Sequence, residues 1–286
     1  MAVCATLVSC GGLLFRNFSD IDIFEAVFFR SLALLGFIGF LLSYSHGRNV
    51  FRTIIGIGRW GVLGAIVFAG AQTSYIAAFS LTSVANTTFT LCVTPFITAV
   101  FAYFFLREKI SLPTFLCMMV AGVGVGIMVS GSLQAGSMLG NILALLTSFF
   151  FALFAVILRK NRDIDMLPTL MVTGVFMMFL GAFMGSWENR VPVRDIALCF
   201  LWGGLLQGFA HSLMIRATRV LKAAEITLVM LLEFTLGPVW VWIFVSERPT
   251  ETTLIGGAVI VVSVLGLAIY ELFYLEGNLR RHTRND

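Results

Sequence analysis

Two ionisable residues stand where hydrocarbon would surround them. Arg30 lies in the apolar run 23–45 and Glu233 in the run 222–245. A charge near the centre of a bilayer costs about 2.5–3.5 kcal/mol on insertion scales, so such residues point to function by default. Arg30 is suited to hold a substrate carboxylate; the other reading is a packing arginine that pairs with an acid or with carbonyls at a broken helix. Glu233 is suited to an ammonium group or to carrying a proton; the other reading is an acid hydrogen-bonded to a neighbouring helix. Gly237 and Pro238 follow one turn later. Proline has no N–H and its ring clashes with the carbonyl four residues back, here Phe234, so a kink is expected. Pro95 bends its own apolar run in the same way, either as part of a binding site or as a purely structural bend.

Neutral polar residues add to this pair. Gln72 shares a helix face with Tyr75 and Phe68, and His211 shares one with Gln207 and Gly204. Such groups line a substrate cavity or bond between helices, the latter worth only about 0.6 kcal/mol each. Arg30, Gln72, Tyr75, Gln207, His211 and Glu233 are therefore the candidate substrate contacts, with Glu233 also the candidate proton carrier.

These residues need elements to hold them. Of 286 residues, 59% are hydrophobic and 12% charged, against about 25% charged in a soluble domain. The mean hydropathy is +0.96. A bilayer core takes about 20 apolar residues per helix. Ten such stretches are read here: 1–15, 23–45, 60–80, 84–106, 112–130, 137–158, 167–186, 195–216, 222–245 and 253–275. The fold class expected is an all-α integral membrane protein of ten transmembrane helices.

Basic residues orient the spans. With the N-terminus inside, Arg48, Arg52, Arg59, Arg107, Lys109, Arg159, Lys160, Arg162, Arg216, Arg219, Lys222, Arg280, Arg281 and Arg284 fall inside. Only Arg16, Arg190, Arg194 and Arg248 fall outside. That asymmetry places both termini in the cytoplasm. The five cysteines all lie in apolar stretches without CxxC spacing, so neither disulfide nor metal is expected. Gly56-Ile-Gly-Arg-Trp-Gly61 fits GxGxxG, but no strand precedes it. Walker A, HExxH and GxSxG patterns are absent, so no cofactor is called for. The net charge of +4 resides in short loops and does not point to nucleic acid. Trp187, Trp202, Trp240 and Trp242 fit interfacial anchoring, most of the 28 phenylalanines face lipid, and Gly122, Gly124, Gly126, Gly256 and Gly257 let the fifth and tenth spans pack closely.

The halves repeat. Arg16-Asn-Phe-Ser-Asp-Ile-Asp22 aligns with Arg159-Lys-Asn-Arg-Asp-Ile-Asp165 at an offset of 143. Later the offset is 139, matching Ala85 with Ala224, Thr88 with Thr227, Phe105 with Phe244, and Glu108 with Glu247. Gln72 and His211 become equivalents, as do Asn86 and Glu225, a pair better suited to helix capping. Arg30 meets Thr173, and Glu233 meets Thr94. Five spans per half is odd, so the second half enters the membrane inverted, a recurrent transporter design. The repeats are expected at 1–130 and 131–286, the second with a short basic cytoplasmic tail. At offset 143 Met1 meets Ala144, whereas the mate of the first span starts near Gly136, so the first span is read as about eight residues short; its 15 helical residues rise only about 22 Å, and a start upstream is expected.

Thr-Pro-Phe-Ile-Thr-Ala at 94–99 with Leu-Arg-Glu-Lys at 106–109, and Leu-Glu-Phe-Thr-Leu-Gly-Pro-Val-Trp-Val-Trp at 232–242 with Glu-Arg-Pro at 247–249, resemble a family pattern. It is that of the drug/metabolite transporter superfamily, EamA-like branch, and it covers the whole chain. The resemblance implies a secondary transporter of small metabolites such as amino acids or related amphiphiles, in a plasma membrane, most simply a bacterial inner membrane. Export by alternating access is the expectation, with the bilayer and a small-molecule substrate as partners. The rivals are a membrane-embedded enzyme and a non-transporting sensor or partner protein.

Overall fold

The computed structural model describes every residue except 20, 48–49, 83–86, 88–89, 131–137, 188–189, 246–250 and 283–286, and omits the side chains of some others inside helices. The repeat partners Ala85, Asn86, Thr88 and Glu247, the loop charges Arg48, Arg248 and Arg284, and the side chains of Pro238, Arg280 and Arg281 lie outside the described set. Among the described residues the chain is helical throughout, and its ten spans form the bundle of an integral membrane protein.

Five helices are long and apolar enough to cross a membrane: Ile23–Ser45, Gly58–Leu81, Met138–Lys160, Leu167–Met184 and Val193–Ala217. They are the second, third, sixth, seventh and eighth spans. The fifth and tenth spans are Leu112–Ser130 and Glu251–His282. The first span is broken at Cys10 into Ala2–Ser9 and Gly11–Arg16, and is shorter than the 23-residue sixth. The fourth is broken at Cys92 and Val93, after which Thr94–Phe101 runs into a π-helical end, Ala102–Leu106. The ninth is broken at Met230, between Ala223–Val229 and Leu231–Val245. A short helix, Val50–Gly56, occupies what the sequence reads as a polar loop.

Pairings between spans follow the repeat. The second packs on the seventh, the fifth on the tenth and the fourth on the ninth, each joining repeat-equivalent helices. The third packs on the sixth as the eighth packs on the first, and the fourth packs on the sixth as the ninth packs on the first. The surface reverses the usual sorting. Phe40, Phe104, Phe183 and Val262 are exposed while Glu25, Arg30, Asp195 and Glu233 are buried. Lipid, to which an exposed phenylalanine costs nothing, explains that reversal.

Glycine sets the closest approaches. Gly124 of the fifth span faces the Gly256 carbonyl of the tenth, where an added Cβ would stand 2.8 Å from it. Gly203, Gly204 and Gly208 of the eighth span receive the Arg30 backbone, Ala33 and Phe37 of the second. That row of small residues, within a π-helical stretch Leu201–Gly208, brings the second span's backbone into van der Waals contact. A methyl group at Gly203 would overlap the Arg30 backbone, whereas one at Gly36 would meet nothing within 4 Å. Gly203→Ala is therefore expected to cost about 1–3 kcal/mol. In detergent its unfolding temperature should fall by several degrees while Gly36→Ala matches the parent; equal temperatures would refute the tight contact.

Candidate functional site

A cavity of about 60 Å³ lies at mid-bundle, bounded by the first, third, fourth, sixth, eighth and ninth spans. Its lining includes Gln72, Tyr75, Gln207, His211 and Glu233, five of the six side chains expected as substrate contacts, together with Val8, Ala71, Leu91, Thr94, Thr147, Phe151, Thr227 and Met230. The repeat offsets organise this wall. Gln72 and His211, Thr94 and Glu233, and Leu91 and Met230 are related by 139, and Val8 and Phe151 by 143. The cavity therefore sits between the halves, with four equivalent pairs around it.

The broken spans deliver the key polar groups. Glu233 and Thr94 each occupy the first turn after their break. A helix N-terminus carries partial positive charge and favours an adjacent anion, which suits Glu233. Pro95 stands at the start of the resumed helix rather than inside a continuous one. Its missing N–H would leave the Leu91 carbonyl without a donor, and the Thr94 hydroxyl donates to that carbonyl at 2.5 Å. The expected bend is thus a break two residues before the proline, with its free acceptor supplied locally. Pro238 falls within the continuous run Leu231–Val245, and the break of the ninth span comes earlier, at Met230, not at the proline as the sequence predicts.

Hydrogen bonds fix the lining side chains. Tyr75 Oη donates to Glu233 Oε1 at 3.3 Å, joining the third and ninth spans. His211 Nδ1 is 2.8 Å from the Gln207 carbonyl, which only accepts, so Nδ1 carries the hydrogen. The imidazole packs edge-on against Phe68, with ring centroids 4.8 Å apart. Thr147 and Thr227 donate to carbonyls of their own helices, Leu143 at 2.9 Å and Ala224 at 3.1 Å.

Arg30 departs from its expected place. It does not line the cavity. Its guanidinium lies 3.7 Å from the centroid of the Trp202 ring, and Nη2 donates to Gln207 Oε1. The side chain is buried, and Nε and Nη1 have no hydrogen-bond partner among the described residues. Gln207 stands between the charge and the cavity, and Arg30 touches the cavity only through that amide. Trp202 is likewise no interfacial anchor: it is fully buried, with the guanidinium on its face and Phe18 and Gly11 beside it. A tryptophan face attracts a cation, and burial strengthens that attraction because water no longer competes.

One further arrangement escaped the sequence reading. Arg159 Nε donates to Glu108 Oε1 at 2.8 Å, and Arg159 Nη1 donates to the Thr218 carbonyl at 2.8 Å. The ends of the fourth, sixth and eighth spans are clasped there, at the basic end of the bundle. Beneath the clasp, Ala102, Val156 and Ala223 close an apolar cluster with Phe101 and Leu106. Both charges are visible in sequence as loop markers, but only the fold brings them together. At the opposite end, Glu25 accepts from the Trp187 backbone N–H at 2.9 Å, and Asp195 from that of Ser19 at 3.1 Å. Glu225 accepts from the Lys222 N–H at 2.9 Å, the capping role expected of it.

An inverted repeat of ten spans around a polar cavity is a recurrent architecture of membrane transporters. The model of the EamA-like transporter family matches twice, over residues 1–130 and 138–269, and the chain belongs to that family. The protein is thus a multi-pass membrane transporter of the drug/metabolite type. A solved structure titled only as the crystal structure of a protein shares the fold, with a TM-score of 0.73 and 15% identity over 96% of each chain. No curated protein matches this sequence.

Gln207→Leu would remove the acceptor from a buried guanidinium, whereas Gln72 makes no side-chain hydrogen bond among the described residues. Leaving a buried charged group unpaired costs about 3 kcal/mol or more. Thermal unfolding in detergent should therefore separate a destabilised Gln207→Leu from a near-parental Gln72→Leu. Equal losses would mean that Gln207 does not hold Arg30.

Proposed function

We propose that this chain is a secondary transporter that exports a small metabolite, an amino acid or a related amphiphile, by alternating access. The observation that carries the reading is the cavity lined by repeat-equivalent pairs at the breaks of the fourth and ninth spans. Two near-equivalent halves, 1–130 and 131–286, can exchange conformations around such a site and open it first to one side, then to the other. The clasp Glu108–Arg159 closes one end and has to part in that exchange. The asymmetry of the basic loops supports a cytoplasmic side for that end and for both termini, in what we take to be a bacterial inner membrane. A membrane enzyme would instead gather its catalytic groups near one interface, whereas the polar lining here is at mid-bundle.

Glu233 is the candidate for coupling. Its neighbours are Tyr75, which donates to it, with His211 across the same cavity and Arg30 behind Gln207. If Glu233 exchanges a proton with solvent as the halves alternate, Glu233→Gln abolishes that exchange. In proteoliposomes the variant is expected to retain substrate exchange and to lose accumulation driven by a pH gradient. Accumulation that survives the substitution rules out the proton role. Loss of both modes in a folded protein assigns Glu233 to substrate binding. Arg30 reaches the cavity only through the Gln207 amide, so Arg30→Ala should weaken a carboxylate substrate by no more than about tenfold, the worth of one neutral hydrogen bond of about 0.5–1.5 kcal/mol. Unchanged affinity assigns Arg30 to packing alone. With native cysteines removed, Lys160→Cys is expected to react with an impermeant maleimide only from the cytoplasmic side; labelling from outside alone reverses the topology.

A further inference from the structure

The hydrogen-bonding capacity of the lining is uneven. A threonine hydroxyl has one hydrogen to give and two lone pairs to receive with. Thr94, Thr147 and Thr227 each spend that hydrogen on a carbonyl of their own helix, at 2.5, 2.9 and 3.1 Å. Tyr75 spends its hydrogen on Glu233 Oε1. His211 spends its Nδ1 hydrogen on the Gln207 carbonyl, so Nε2 of the neutral ring is left as an acceptor. What remains for a ligand is lone pairs: the second carboxylate oxygen of Glu233, three threonine oxygens and an imidazole nitrogen. The lining donors left over are the amides of Gln72 and Gln207, the latter with its oxygen already taken by Arg30. Among the described residues no cationic side chain lines the cavity.

A wall of acceptors around one carboxylate calls for a ligand that brings its own donors and a positive charge. A carboxylate or phosphate at the Glu233 end would meet lone pairs and like charge. A quaternary ammonium would satisfy the charge but none of the acceptors. A primary ammonium satisfies both, since it carries three N–H donors on a compact charge. The apolar side of the same cavity, formed by Val8, Leu91, Phe151 and Met230, takes an uncharged body.

We propose that the cavity selects its substrate by a primary ammonium group, seated on Glu233 between Thr94 and Thr227 with the apolar body against Phe151 and Met230. This rests on the cavity being the transport site. The two glutamine amides are the donors left in the lining, so a carboxylate or carbonyl of the same molecule is tolerated but not required. An amine without a carboxylate is therefore a ligand in its own right.

The test measures binding to the purified full chain with matched probes: phenethylamine, phenethyltrimethylammonium and hydrocinnamate, and hexylamine, hexyltrimethylammonium and hexanoate. The amine of each set is expected to bind at least tenfold more tightly than both counterparts. Thr94→Val is expected to weaken the amines about three- to tenfold and to leave the counterparts unchanged. Glu233→Gln should erase the difference between amine and counterparts. Thr227→Val, expected to weaken the amines in the same way, removes a hydroxyl that bonds only within its own helical turn, so it keeps the test valid even if Glu233→Gln or Thr94→Val fails to fold. Equal binding of an amine and its trimethyl analogue, or preference for the carboxylates, overturns the proposal while leaving transport intact. Absence of binding by every probe overturns it together with the cavity as the site.

Discussion

In hydrocarbon, a backbone carbonyl released from its helix has no water to turn to, and every unpaired one costs several kcal/mol. This constraint governs where the chain is allowed to break. The fourth and ninth spans break at mid-bundle, inside protein and beside the polar cavity. The Leu91 carbonyl, which Pro95 cannot serve, is taken by the neighbouring Thr94 hydroxyl. The same bond turns the threonine's lone pairs outward. Backbone satisfaction and ligand chemistry are therefore two effects of one hydroxyl.

The scaffold is symmetric and its decoration is not. Helix pairings obey the repeat, and so do the positions of the breaks in the fourth and ninth spans. The side chains placed at equivalent positions differ in kind: Thr94 against Glu233, Gln72 against His211, Thr173 against Arg30. Equivalence of backbone is what the proposed exchange of conformations between the halves would draw on. Difference of side chain is what makes the lining chemically unequal, with a carboxylate where the first half has a hydroxyl and an imidazole where it has an amide. The first span breaks at Cys10 while its mate, the sixth, is continuous at Leu153. Two glycines follow Cys10, and Gly11 gives its space to Trp202.

Much of this was legible in sequence, for reasons that can be named. Hydropathy located the spans because hydrocarbon admits few alternatives to a helix. The repeat offsets found Gln72 and His211, and the same arithmetic carried further would have produced Val8 with Phe151 and Leu91 with Met230. Arg30 was misplaced because insertion cost identifies a buried charge without saying what buries it. Its position depends on Trp202 and Gln207 of the eighth span, and on the glycines that admit the second span so closely. The tryptophan was misread for the same reason, since nearness to a span end says nothing about which face it occupies. The acceptor character of the threonines was hidden because it depends on where each hydrogen points.

The arginine that stacks on Trp202 also imposes an order on assembly. Arg30 and its acceptor Gln207 are 177 residues apart. During synthesis the second span reaches the membrane long before the eighth exists, so the nascent chain must lodge a guanidinium among lipids with neither tryptophan nor amide to meet it. The apolar residues of that span, which hold its mean hydropathy at 2.0 despite the arginine, have to outweigh an insertion cost of about 2.5–3.5 kcal/mol by themselves. Arrival of the eighth span then relieves the stranded charge, and that relief adds a reason for the two helices to find each other among ten.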